Sequence, residues 1–203
     1  MKALILVDIQ NDFLPGGALA VPCGNEVIPL ANQVQAKFSL VVATQDWHPP
    51  NHASFAANHP GRRIGEQIEI DGLPQILWPV HCVQNTRGAE FAADLQRDRI
   101  VRVFQKGTDP RIDSYSGFFD NDHRQATGLG DFLQAQRVTD VYVLGLATDY
   151  CVKFTALDAV QLGFRTFLIE DACRGVHLQP TDVSQAIQEM QTAGVAIVCC
   201  DRC

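Results

Sequence analysis

The chain carries a cysteine where a thiol can react. Val141 to Leu144 read as the end of a buried strand, Gly145 breaks it, and Thr148-Asp149 supplies helix-start chemistry before a new apolar period begins. Cys151 therefore falls in the first turn of a helix, where free backbone N–H groups and the positive dipole end bias a thiol toward thiolate. A nucleophilic cysteine also needs a base in reach or a positive neighbour, because a thiol is mostly protonated at neutral pH. Asp8 can supply the first and Lys106 the second. A second constellation is Asp46-x-His48 with His81 from a later loop. Two histidines and a carboxylate with an open position suit zinc, iron or manganese in a reactive or substrate-binding site. His52 or His59 can stand in for His81, and Ser54 can approach the metal directly or through water. The plain alternatives are a buried cysteine packed as a small hydrophobe, an Asp8–Lys106 ion pair, and Asp46 as a turn residue.

What favours one composed site is the way these residues are delivered. Ala3 to Val7, Leu40 to Ala43, Ile100 to Phe104 and Asp140 to Leu146 are apolar runs of strand character, and each is followed by a chemically capable residue. In an open parallel sheet the carboxyl ends of strands lie side by side along one edge, where α/β proteins place their sites. Two further strands are expected at Thr166 to Ile169 and Val195 to Cys199. Helices are expected at Asn25 to Phe38, where Pro29 confines the start, and at Leu129 to Gln136, Asp149 to Leu162 and Thr181 to Ala193, with a short one near Ala89 to Gln96. Alternation of strands and helices predicts an α/β, doubly wound, six-stranded and mainly parallel sheet with helices on both faces. Asn51 to Glu90 is irregular and rich in Pro-Gly, Asp-Gly and X-Pro pairs, so it reads as a long functional excursion.

Composition narrows the class. At 203 residues, one domain over 1–203 is the default. A net charge of −7 without a Lys/Arg cluster argues against nucleic acid. No segment approaches the roughly 20 apolar residues of a membrane span, and the N-terminal apolar run is too short for a signal peptide. Seven cysteines, an odd number, fit reduced thiols better than a disulfide framework, hence a cytoplasmic protein. Cys199, Cys200 and Cys203 offer a weak metal site, but read better as part of a partly buried last strand and a frayed end.

The same residues bring a family into view. The chain resembles the nicotinamidase/pyrazinamidase branch of the isochorismatase-like cysteine hydrolases over nearly its whole length. The resemblance is carried by Leu6-Val-Asp8-Ile-Gln-Asn-Asp-Phe13, Thr44-Gln-Asp46-Trp-His48-Pro-Pro-Asn-His52-Ala-Ser54-Phe55, Trp78-Pro-Val-His81-Cys82, Lys106-Gly107 and Gly145-Leu-Ala-Thr-Asp-Tyr-Cys151-Val152. It implies Asp8, Lys106 and Cys151 as a catalytic triad and Asp46, His48 and His81 as ligands of one divalent metal, zinc first and iron or manganese as alternatives. It also implies a cis peptide before Ala147, an oxyanion hole from the Ala147 and Cys151 amides, and ring-pocket walls from Phe13, Trp78 and Tyr115. The activity implied is hydrolysis of nicotinamide to nicotinate and ammonia in pyridine-nucleotide salvage, with pyrazinamide as a second substrate and room for a homo-oligomer. Three rival readings stand beside it: a carbamoyl or ureide amidase, a zinc hydrolase with metal-bound water as nucleophile, and a flavodoxin-like binding module.

Overall fold

The computed structural model describes all residues, Met1–Cys203. Its centre is a six-stranded sheet made of β1 (Lys2–Val7), β2 (Val41–Asp46), β5 (Ile100–Lys106), β6 (Asp140–Leu146), β7 (Arg165–Arg174) and β8 (Ala196–Val198) in the order β5-β2-β1-β6-β7-β8. Every pairing in it is parallel. β3 (Gln67–Ile70) and β4 (Leu73–Ile76) form a separate antiparallel hairpin. The chain runs outward from β1 to β2 and β5, crosses back, and runs outward again through β6, β7 and β8. Right-handed crossovers in opposite directions put α1 (Val27–Gln35) on one face and α2 (Leu129–Ala135), α3 (Lys153–Gln161) and α4 (Asp182–Thr192) on the other. The order reverses between β1 and β6, and a crevice opens there at the carboxyl edge.

The sheet's middle is dry, as its sequence demands. Ala3 to Val7 and all of β2 and β6 are buried, so the continuous apolar runs are covered on both faces. α1 turns Val27, Ile28, Ala31 and Val34 inward. Pro29 lies in its first turn, where a missing N–H costs nothing. The helix is shorter than its apolar spacing suggests, because Gly24–Glu26 is a 3-10 turn and Phe38 closes a tight turn back onto the Gln35 carbonyl. No helix is long and apolar enough to cross a membrane.

Four further expectations are corrected. β2 and β5 extend through Asp46 and Lys106, which are paired in register instead of lying in loops. The 51–90 excursion contains the β3–β4 hairpin, whose Asp71-Gly72 turn has positive φ at both residues (51° and 83°). No helix forms over 89–96. Buried Phe91, Ala92 and Leu95 have helix-like spacing, yet Ala92 N–H donates to Ile9 O and Asn11 N–H to Glu90 O, so the segment is stitched to the loop after β1. The carboxyl end is tied down: Cys200–Arg202 is a 3-10 turn held by Cys200 N–H to the Asp171 carboxylate and Lys37 Nζ to Cys200 O.

Candidate active site and metal centre

Four neighbouring strands, β5, β2, β1 and β6, bring Lys106, Asp46, Asp8 and Cys151 together at the crevice. The close approach of β1 and β6 depends on Gly145 (φ 129°), where a Cβ would meet Val7 N at 2.8 Å and Val7 C at 2.9 Å. The Leu146–Ala147 peptide that follows is cis. Cys151 then sits in a π-helical turn, Thr148–Val152, that precedes α3. That wider turn replaces the expected start of an ordinary helix, with Tyr150 and Val152 N–H both directed at Ala147 O at 3.1 Å.

Lys106 is the hub. Its Nζ lies 2.9 Å from Asp8 Oδ2, 2.8 Å from Ser114 O and 3.3 Å from Cys151 Sγ, and it also contacts Asp46 Oδ1. The ammonium is fully buried; burial works against its charge, but the Asp46 and Asp8 carboxylates outweigh that and hold it protonated. Asp8 is fully buried and accepts a 2.7 Å bond from Thr44 Oγ1. Burial raises its pKa to about 6, with Lys106 opposing the rise. Burial together with the Asp8 and Asp46 charges pushes the Cys151 thiol up, against the pull of Lys106. The folded surroundings thus oppose the thiolate bias expected from the helix start, and the sulfur lies beside a base that can take its proton. Dipole and ammonium favour the anion, but desolvation and two carboxylates win.

Asp46, His48 and His81 converge as a second cluster, their donor atoms all within 4.8 Å of one another. Asp46 Oδ2 lies 3.6 Å from His48 Nε2 and 3.8 Å from His81 Nε2. His48 Nδ1 is 2.9 Å from Gly107 O and His81 Nδ1 2.7 Å from Pro79 O, so each Nδ1 donates outward and each Nε2 faces the cluster. Gly107 (φ 65°) can come this close because a Cβ there would enter the His48 ring. Burial would raise Asp46, but Lys106 and His48 hold it ionised, well below the usual carboxylate range. Burial, then a charged His48 beside it, lowers His81 to about 4, so it is neutral at pH 7; the Asp46 carboxylate raises His48 against the effect of its own burial, so a metal ion and a proton compete for His48 Nε2. A deprotonated carboxylate and two oriented imidazole lone pairs fit a zinc-like ion. Of the alternatives, His59 Nε2 bonds Ala53 O at 2.7 Å, turned away from the cluster. His52 is closer: its ring centroid is 4.3 Å from that of His48, while its Nδ1 is 2.7 Å from Ser54 Oγ and its Nε2 3.3 Å from Ile112 O.

Between the two clusters lies a narrow, largely apolar pocket. Phe13, Trp78 and Tyr115 line it, as do Asp46, His81, Ala147 and Cys151. Trp78 Nε1 donates to Tyr115 Oη at 3.1 Å and Gln75 Nε2 to the same oxygen at 3.2 Å, which fixes the aromatic wall. Leu19, Asp113, Tyr150 and Val176 also line the pocket, and sequence reasoning missed them. Tyr150 adjoins Cys151 in sequence, a signal that was there to use; Leu19 and Val176 come from loops that carry none. Thr44 was also missed, although its place two residues before Asp46 in a strand puts both on one face.

The isochorismatase domain model matches residues 2–201. The Escherichia coli nicotinamidase is 50% identical over 200 residues, covering 97% of this chain and 93% of that protein. Among solved structures, an Acinetobacter baumanii nicotinamidase/pyrazinamidase superposes with a TM-score of 0.96 at 49% identity, covering 98% of this chain and 96% of that one. A Pyrococcus horikoshii pyrazinamidase in complex with zinc gives 0.80 at 42% identity and 98% coverage of both chains. With the strand-end cysteine, the buried lysine hub and the carboxylate–histidine cluster in one pocket, the chain belongs to the nicotinamidases of the isochorismatase-like hydrolase family, amidohydrolases that convert nicotinamide to nicotinate and ammonia.

Proposed function

We propose that this chain hydrolyses nicotinamide through a Cys151 thioester. The observation that carries the reading is the contact of Lys106 Nζ with both Asp8 and Cys151 Sγ at one end of a pocket whose other end is the Asp46, His48 and His81 cluster. Asp8, ionised above a pKa of about 6, takes the thiol proton as Sγ attacks the carboxamide carbon. Lys106 stabilises the sulfur anion as it forms and keeps the Asp8 carboxylate oriented. The carboxamide oxygen gathers charge against the Ala147 and Cys151 backbone N–H groups. Asp8 returns its proton to the departing nitrogen, ammonia leaves, and a water deprotonated by Asp8 then cleaves the thioester to nicotinate, regenerating the Cys151 thiol.

Asp46, His48 and His81 would hold the metal, with zinc as the first choice. When bound, the ion supplies a Lewis-acid position for the pyridine nitrogen and so orients the ring. Phe13, Trp78 and Tyr115 enclose the ring faces and exclude water. Pyrazinamide keeps a nitrogen at the same ring position and is the expected second substrate. Seven free cysteines fit a reducing cytoplasm. The test is direct: purified, zinc-loaded protein releases ammonia from nicotinamide, and Cys151→Ala does not. Ammonia release that survives Cys151→Ala would transfer the nucleophile's role to a metal-bound water.

A further inference from the structure

Asp149 stands two residues before the nucleophile and is only 4% exposed, yet it touches neither the pocket nor a cation. Its sequence position suggests a helix cap, but it makes no cap bond. Instead Oδ1 accepts Val176 N–H at 2.9 Å and Oδ2 accepts His177 N–H at 2.9 Å. Both oxygens of one buried carboxylate are thus committed to a single distant loop. Gly175 makes the approach possible, since a Cβ there would lie 3.2 Å from Asp149 Oδ1 and collide with Val183 of α4. Val176, the residue so held, lines the pocket beside Ala147, Tyr150 and Cys151.

We propose that Asp149 is a positioning residue that sets the fit of the substrate ring: from the turn bearing Cys151 it clamps the 175–177 loop so that Val176 closes the pocket wall. The proposal rests on the reading of this pocket as the ring site. Because Asp149 acts through a wall contact and not on the reacting atoms, its loss weakens substrate binding and leaves the chemical step nearly intact. Asp149→Asn turns an amide NH2 toward one of the two N–H donors and leaves that donor unpaired. The KM for nicotinamide rises about tenfold or more, while kcat stays within about threefold.

The test is a double-mutant cycle on the zinc-loaded enzyme. Val176→Ala alone raises KM, and Asp149→Asn added to it changes KM by no more than about twofold, because the wall it positioned is gone. Gly175→Ala, which pushes the loop off an intact Asp149, reproduces the KM effect and serves if Asp149→Asn does not fold. A fall in kcat at constant KM, or KM effects that multiply in the double variant, would overturn the proposal, as would a wild-type KM in folded Gly175→Ala. Cys151→Ala in the same assay separates the two levels: retained turnover would sink the thioester reading and leave the KM cycle to decide the role of Asp149.

Discussion

Thr44→Val probes the base without touching the nucleophile. Thr44 is fully buried and its hydroxyl donates to Asp8 Oδ1 at 2.7 Å; valine fills the same space and donates nothing. A hydrogen bond to a charged group contributes about 1.5–3 kcal/mol, and it is made to the ionised form of Asp8. At about 1.4 kcal/mol per pH unit, its loss raises the Asp8 pKa by roughly one to two units, from about 6 toward about 7–8. The carboxylate is the active form, so activity is present above the pKa and lost as pH falls through it. The acid limb of kcat/KM, near pH 6 in the wild type, therefore moves to about 7–8 in the variant. At pH 7 the variant runs at roughly a tenth to a half of the wild-type rate, and raising the pH to 9 restores most of the difference. The assay is ammonia release from nicotinamide across pH 5 to 9 with zinc saturating. An unmoved acid limb, or a loss of equal size at every pH, would refute Asp8 as the base that this hydroxyl tunes.

Three more outcomes are expected. Cys151→Ala abolishes turnover while circular dichroism and bound zinc stay at wild-type levels; loss of zinc with the thiol would mean that the two clusters are not separate. Lys106→Met leaves the buried Asp8 and Asp46 carboxylates uncompensated, which costs about 3–5 kcal/mol in urea unfolding and slows alkylation of Cys151 by iodoacetamide; wild-type stability would show that the ammonium is dispensable. Benzamide, which has the shape of nicotinamide without the ring nitrogen, is a much poorer substrate, and chelation lowers nicotinamide turnover far more than residual benzamide turnover. Equal kcat/KM for the two amides in the zinc-loaded enzyme would remove the metal from ring binding.

The sheet was legible because burial on both faces leaves a strand no choice but a continuous apolar run, and β1, β2 and β6 all show one; the edge strand β5 is largely exposed and is broken by Arg102. The hairpin was hidden by competing signals: Asp71-Gly72 is a strong turn pair, but Pro74 inside the second strand argues against a strand at all. It is tolerated because an isolated two-stranded hairpin is all edge. Over 89–96 the apolar spacing suggested a helix, and tertiary bonds from Ala92 to Ile9 and from Asn11 to Glu90 overrode it. Spacing reports which side chains go inward; it does not report which backbone partner takes the N–H groups.

The same division separates the legible part of the site from the rest. Asp8, Asp46, Lys106 and Cys151 could be read because strand ends at a switch point become neighbours whatever the intervening loops do. Val176 and Leu19 could not, since each reaches the pocket through a loop whose course depends on distant bonds, such as those from Asp149 to Val176 and His177. The charge state of Cys151 failed for another reason. A local view counts a helix start and an ammonium, both favouring thiolate, whereas the folded chain adds full burial and places the thiol among two carboxylates with donor atoms within 4.8 Å of one another. One ammonium shared among Asp8, Asp46 and Cys151 cannot stabilise three anions at once. Burial and the two carboxylates work against the thiolate, and this makes Asp8, more than the turn that carries Cys151, the group on which reactivity depends.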